Sequence, residues 1–247
     1  MKPHERISQA IVNANAAGRT ALVPFLTAGY PKLDGFLDDL RVLAKHGDVV
    51  EIGVPFSDPM ADGLTIQRSS HSAIEQGVSL RWILKSLHSD RQNISAPLIL
   101  MSYLNPLLAY GLEDLARDAE TAGVCGFIVP DLPYEESSEF RRVMQASGLA
   151  LIQLVTPATP PERLAMLAKA SQGFVYAVTV RGITGGGAGL PADTADYLTK
   201  VRQLAAPTPV CAGFGIRTAA QVRAVAWEAT LDPRGRPWVL QAGSAST

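Results

Sequence analysis

The chain contains the run Phe174-Val175-Tyr176-Ala177-Val178-Thr179-Val180, which leads to the glycine-rich stretch Thr184-Gly185-Gly186-Gly187. A second apolar run, Pro209-Val210-Cys211-Ala212, leads in the same way to Gly213-Phe214-Gly215. Glycines let backbone N–H groups approach an anion closely, and α/β barrels often bind phosphate in the loops after their late strands. Each stretch alone is a weak signal, because glycine-rich turns are common. Together, after consecutive strand-like runs, they favour a phosphate site at the strand ends.

Strand-like runs alternate with segments of helical periodicity along the whole chain. The candidate strands are 21–26, 49–53, 97–101, 126–129, 149–155, 174–180, 209–212 and 238–242. Eight such repeats imply a parallel sheet, and both a closed barrel and an open doubly wound sheet fit them. The glycine placement favours the α/β (βα)₈ barrel, known as the TIM barrel. The segment Ile7-Ala10-Ile11-Ala14 predicts an extra N-terminal helix that would plug the lower end of that barrel.

Size and composition bound the possible classes of protein. The 247 residues match the roughly 250 of a one-domain barrel, and no linker interrupts them, so we expect a single domain over 1–247. A net charge of -1, with Lys and Arg scattered, gives no sign of a nucleic-acid partner. Neither a signal peptide nor an 18-residue apolar segment is found, so we expect a cytoplasmic protein without a membrane partner.

Cofactor and metal signatures are missing from the sequence. Cys125 and Cys211 lie in apolar surroundings and are interpreted as buried free thiols. The four histidines lack metal-ligand spacing, and no dinucleotide fingerprint follows the first strand-like run. We therefore expect neither a metal nor a cofactor.

Acidic residues interrupt the second strand and the loop that follows it. Glu51 shares a strand face with Val49, and in a barrel one face of each strand points inward. Taken alone, a solvated or lysine-paired glutamate fits this position equally well. The next residues, Pro55-Phe56-Ser57-Asp58-Pro59-Met60-Ala61-Asp62-Gly63, form a loop stiffened by two prolines and carrying two more acids. Such a loop favours acid–base chemistry, because two carboxyls in different surroundings can have different pKa values.

The segment Glu51-Ile52-Gly53-Val54-Pro55-Phe56-Ser57-Asp58-Pro59-Met60-Ala61-Asp62-Gly63 closely resembles the hallmark segment of tryptophan synthase α subunits. The resemblance extends from about Arg6 to Val225. Matching motifs occur in the same order at 24–29, 103–106, 130–133, 182–185 and 213–216. It implies a lyase that cleaves indole-3-glycerol phosphate to indole and glyceraldehyde 3-phosphate by a retro-aldol reaction. It also implies a tryptophan synthase β subunit as partner, in an α2β2 heterotetramer.

The resemblance assigns roles residue by residue. Glu51 matches the proton-transferring glutamate, and Asp62 matches the aspartate that accepts from the indole N–H. Asp58 matches a residue that couples the site to the β subunit, although capping the turn before Pro59 explains it equally well. The positions that match the substrate pocket or its surroundings are Phe25, Met101, Tyr103, Val129, Tyr176 and Phe214, and Thr184 lies in the loop that the family uses as a lid. Those that match the phosphate site are Gly185, Gly215, Gly243 and Ser244.

The sequence departs from the family pattern at two places. Leu64 stands where a proline is usual, which would loosen the loop slightly. The segment 228–238 replaces a shorter connection, and we expect an atypical, shortened C-terminus without the usual last helix. If this segment reflects a shifted reading frame, Gly243 and Ser244 match the family by accident. Two alternatives therefore remain at this stage: a free-standing lyase that releases indole, and a weakly catalytic subunit that mainly binds and activates the β chain.

Overall fold

The computed structural model describes residues 1–179 and 194–213 in full and residues 238–243 at the level of the backbone. Its strands are β1 (Ala21–Thr27), β2 (Val50–Gly53), β3 (Leu98–Met101), β4 (Val124–Ile128), β5 (Ala150–Val155), β6 (Val175–Val178), β7 (Val210–Gly213) and β8 (Trp238–Gly243). Each strand pairs in parallel with the next, and β8 pairs with β1. The closed barrel confirms the (βα)₈ prediction over the open sheet.

Helices connect the strands and cover the outside of the barrel. They are α1 (Pro3–Ala16), α2 (Phe36–His46), α3 (Leu64–Glu75), α4 (Leu80–Asp90), α5 (Leu104–Tyr110), α6 (Leu112–Ala122), α7 (Ser138–Ala146), α8 (Pro161–Ala170) and α9 (Thr194–Ala205). Helix α8 begins at Pro161, where proline's fixed φ suits the first helical turn. Within the described residues, no helix is long and apolar enough to cross a membrane.

The apolar core has an inner and an outer layer, which alternate along each strand. In and beside β2, Val50 and Ile52 pack in the outer layer against the helices, whereas Val49 packs inside the barrel. This alternation follows from the two-residue period of a strand. It puts Glu51 on the inner face, as predicted, with its side chain fully buried.

The N-terminal helix closes the lower end of the barrel, which confirms its predicted packing role. Ile7 and Ile11 of α1 are completely buried and belong to the same cluster as the inward residues of the strands. Gly173, just before β6, gives the helix room, because a Cβ there would lie 2.9 Å from Cγ2 of Ile7. The end of the barrel opposite the strands' carboxyl ends is therefore filled by side chains.

The eighth strand forms where the sequence predicted it. Its residue Gly243 is the register partner of Phe25 in β1, at the carboxyl end of the barrel. Residues 180–193, 214–237 and 244–247 lie outside the described part of the chain, and with them most of the segment 228–238 and the predicted atypical C-terminus.

Candidate active site

Glu51 lies inside the barrel on β2. Its register partners are Phe25 on β1 and Ile99 on β3, both inward-facing apolar residues. Burial, together with the negative charge of Glu51, raises the pKa of the Cys211 thiol on β7. The thiol is therefore neutral at physiological pH, and the barrel interior holds a carboxyl group among apolar side chains. Such a group can exchange protons with a ligand while bulk water is excluded.

Asp62 ends the proline-containing loop that follows β2. Its own N–H donates to the carbonyl of Pro59 over 3.1 Å, and its carbonyl accepts from the side-chain amide of Gln67 over 2.8 Å. Gly63 then leads into α3. Only 8% of Asp62 is exposed, so a stiff backbone holds this carboxyl group largely out of solvent.

The surroundings of Asp62 tune its ionisation. Burial raises the pKa of this carboxyl from 3.8 to about 6, opposed by a hydrogen bond from the Tyr103 hydroxyl, which favours the charged form. The donor–acceptor distance from Tyr103 Oη to Asp62 Oδ2 is 3.2 Å. Asp62 is consequently mostly ionised at pH 7 and becomes protonated as the pH falls below about 6.

A narrow cavity opens beside Asp62 at the carboxyl ends of the first three strands. It is lined by Phe25, Thr27, Gly53, Val54, Asp62, Ile66, Ser70, Met101, Ser102, Tyr103 and Pro130. The ring of Phe25 lies directly over Gly53, because a Cβ at Gly53 would be 2.6 Å from Cζ of that ring. The lining combines apolar side chains and hydroxyl groups with one carboxylate, which can accept from an N–H group, and the cavity volume is about 20 Å³, room for about one water molecule.

The structure brings together some of the residues predicted to bind substrate and separates others. Phe25, Met101 and Tyr103 line the cavity with Asp62. Tyr176 is fully buried inside the barrel, with its ring against Gly213, where a Cβ would be 2.3 Å from the hydroxyl oxygen.

The remaining predicted positions do not reach this cavity or fall outside the description. Val129 packs in the outer layer, because Ile128 before it faces inward and successive side chains of a strand point to opposite faces. Its predicted pocket role therefore gains no support from the cavity. The backbone of Gly243 lies at the carboxyl end of β8. Outside the described residues are Thr184, Phe214, Gly185, Gly215 and Ser244.

Asp58 is exposed on the outer side of the same loop. It lines an open cleft of about 580 Å³ with Phe56, Met60, Ala61, Tyr103, Asn105, Pro130 and Asp131. Met60 in this cleft is 84% exposed, although it is a large apolar side chain. The carbonyl of Asp58 accepts from the N–H of Met60 over 2.9 Å, so the residue also takes part in the turn. Both interpretations of Asp58, turn capping and coupling to a β subunit, stay predictions.

Sequence reasoning missed the polar lining of the cavity. Thr27 and Ser102 stand at or directly after the carboxyl ends of β1 and β3, a position that could have flagged them. Ser70 comes from α3, and no sequence signal marks it. Thr27 Oγ1 is also hydrogen-bonded to Ser69 Oγ over 2.8 Å, which ties α3 to the rim of the barrel.

The fold and the site together define a (βα)₈ barrel of the enzymatic type, with buried carboxyl groups at and below its carboxyl-terminal mouth. The family model described as "Tryptophan synthase alpha chain" matches residues 11–231. The chain belongs to the tryptophan synthase α chain family.

Individual relatives agree with this assignment. The tryptophan synthase α chain of Desulfovibrio desulfuricans is 46% identical over 240 residues, which cover 97% of this chain and 91% of the relative. That of Xanthomonas euvesicatoria is 44% identical, over 91% of this chain and 84% of the relative. A solved structure of tryptophan synthase from Mycobacterium tuberculosis superposes with a TM-score of 0.83 at 32% identity, covering 96% of this chain and 88% of that one.

Proposed function

We propose that this chain is a lyase that cleaves indole-3-glycerol phosphate to indole and glyceraldehyde 3-phosphate, as the α subunit of a tryptophan synthase. One observation carries the proposal. The two acids matched to the family motif are both buried, Glu51 inside the barrel and Asp62 in a narrow cavity at its mouth. The substrate is inferred from membership of the family, and the two carboxyl groups can carry out the acid–base chemistry that the reaction needs.

The proposed mechanism divides the work between the two acids. Glu51 transfers a proton to C3 of the indole ring and accepts the proton of the glycerol hydroxyl next to the ring. The carbon–carbon bond then breaks, so that the hydroxyl carbon becomes the aldehyde of glyceraldehyde 3-phosphate and indole leaves with the added proton. Asp62 accepts a hydrogen bond from the indole N–H and stabilises the positive charge that develops on the ring. Phe25 and Met101 hold the ring faces.

We propose that the phosphate group binds at the glycine-rich turns that contain Gly185, Gly215 and Gly243, with Ser244. Backbone N–H groups can hold a dianion without a lysine. Inorganic phosphate titrated into the isotope-labelled protein is expected to shift the amide NMR signals of Gly185 and Gly215. Exposed Gly77, between α3 and α4, serves as a control whose signal should stay unchanged. Shifts confined to residues of α1 and the opposite end of the barrel would refute this site.

We propose further that the cleft containing Asp58 and Met60 faces a tryptophan synthase β subunit. The exposed apolar Met60 and the position of the cleft next to the cavity support this surface. A solved structure of similar fold belongs to the tryptophan synthase α2β2 complex of Pyrococcus furiosus, with a TM-score of 0.80, 33% identity, and coverage of 90% of this chain and 87% of that one. An α2β2 assembly would couple the site to its partner through the loop 54–63.

The decisive experiment measures indole released from indole-3-glycerol phosphate by the purified chain, alone and after a β subunit is added. We expect slow release by the chain alone and a clear increase with the partner. Fast release that the partner does not change would instead identify a free-standing lyase. Release that stays undetectable in both conditions, while the chain still activates the β subunit, would identify a binding subunit and contradict the proposed lyase activity.

We also propose a cytoplasmic location, consistent with the role of the family in tryptophan biosynthesis and with the two buried, unpaired cysteines. A single domain over residues 1–247 is proposed as well, and it is supported by a barrel that closes from β1 to β8.

A further inference from the structure

Tyr103 connects two parts of the loop that carries Asp62. The residue lies two positions after the last residue of β3 and is 7% exposed. Its hydroxyl oxygen accepts from the N–H of Ala61 over 2.8 Å and donates to Oδ2 of Asp62 over 3.2 Å. Its ring stacks on Phe56, near the start of the same loop, with centroids 5.0 Å apart and planes at 27°. One side chain from β3 therefore braces the loop at both ends.

The position of the ring also separates two spaces. Tyr103 lines both the substrate cavity beside Asp62 and the outer cleft that contains Asp58 and Met60. With one face against Phe56 and the hydroxyl engaged by the loop, the side chain has limited freedom to recognise a ligand. These contacts point to a second role beside the ring-contacting role that the sequence resemblance implies.

We infer that Tyr103 is a positioning residue: its hydroxyl fixes the loop backbone at Ala61 and orients the carboxylate of Asp62 in the cavity. This inference rests on the proposed function, in which Asp62 accepts the indole N–H. A carboxylate has two oxygens, and Tyr103 uses Oδ2, so Oδ1 remains to accept from the substrate. The backbone of Asp62 is held separately by Gln67, which leaves the hydroxyl to control the side chain.

The electrostatic surroundings make this hydroxyl important for the charged form of Asp62. Within the described residues, no Lys, Arg or His lines the cavity or the outer cleft, and Tyr103 is the only side chain that donates to the carboxylate. The other charged groups around Tyr103 are acidic: Asp131 beside its ring and Asp58 in the outer cleft. Burial and the charge of Asp62 raise the pKa of Tyr103, so the phenol keeps its proton and remains a donor.

The substitution Tyr103→Phe removes the hydroxyl and keeps the ring. We expect kcat/KM for cleavage to fall roughly tenfold at pH 7, the scale of one hydrogen bond to a charged group. The acid limb of the pH–rate profile should move to higher pH. The charged form of Asp62 loses the hydrogen bond that stabilises it, so its pKa rises. The matched control is Tyr110→Phe, which removes a hydroxyl that donates to Asp118 over 2.6 Å on the outer helices. It should leave the profile unchanged.

A second measurement does not depend on activity. The carboxyl carbon of Asp62 can be titrated by ¹³C NMR in the full-length chain, in the wild type and in both tyrosine variants. We expect a higher Asp62 pKa in Tyr103→Phe and no change in Tyr110→Phe. An unchanged Asp62 pKa in Tyr103→Phe would overturn the inference, even if the chain cleaves indole-3-glycerol phosphate. A raised pKa in a chain that shows no cleavage would support the positioning role while refuting the proposed function.

Discussion

Replacing Glu51 with glutamine is expected to lower the rate of indole-3-glycerol phosphate cleavage by at least about 10²-fold, the scale of a lost general acid–base group. Glutamine has nearly the same shape but cannot give or take a proton at neutral pH. Because Glu51 is fully buried inside the barrel, solvent has little access to act in its place. The loss should appear mainly in kcat, since the substitution removes proton transfer rather than a binding surface.

The control for this substitution is Glu139→Gln on α7, where the side chain is exposed on the outside of the barrel. It should leave cleavage unchanged. The Tm of both variants is measured by thermal unfolding, and a Tm close to that of the wild type shows that a lower rate does not come from unfolding. Near-normal turnover by a folded Glu51→Gln variant would remove Glu51 from the mechanism.

Replacing Asp62 with asparagine is expected to have two opposite effects, a slower reaction and a more stable protein. Cleavage should fall by at least about 10²-fold, because a neutral amide stabilises the developing positive charge on the indole ring far less than a carboxylate does. The exposed Asp34 provides a matched control, and Asp34→Asn should change neither rate nor stability.

The gain in stability follows from the pKa of Asp62, which is 3.8 as a reference value and about 6 in the fold. The folded state binds the proton more tightly, so the contribution of this group to stability is complete below pH 3.8 and is lost as pH rises through 6. The difference between these two pKa values corresponds to about 3 kcal/mol in the free energy of unfolding. Since asparagine does not titrate, the Tm advantage of the variant should grow by several degrees between mildly acidic and neutral pH. An advantage that stays constant with pH would contradict the raised pKa.

The sequence pattern favoured the barrel and placed Glu51 on the same strand face as Val49, although a solvated glutamate fitted that position equally well. Both depend on local rules: apolar runs mark strands, and the two-residue period along β2 sets the face of Glu51 relative to Val49. The same rule explains the outcome at Val129. The resemblance implies a place for Val129 in the pocket or its surroundings, whereas the alternation along β4 turns its side chain outward.

The contacts that tune Asp62 could not be predicted in this way. Tyr103 lies 41 residues further along the chain and meets Asp62 only because β2 and β3 are neighbours in the barrel. Its spacing from Phe56 carries no periodic signal, and the hydroxyl contacts depend on the path of a proline-containing loop. Long-range geometry of this kind depends on tertiary packing, which no short segment encodes.

In the proposed reaction, this chain breaks a carbon–carbon bond after a proton is added to C3 of the indole ring. The most direct measurement is cleavage of indole-3-glycerol phosphate in D₂O, with both products quantified and the isotope content of the indole determined. We expect indole and glyceraldehyde 3-phosphate in equal amounts, with a single deuterium at C3 of the indole. As a control, unlabelled indole incubated in D₂O with the Glu51→Gln variant should gain no deuterium at C3. Indole without deuterium at C3, or no formation of the two products, would contradict the proposed reaction.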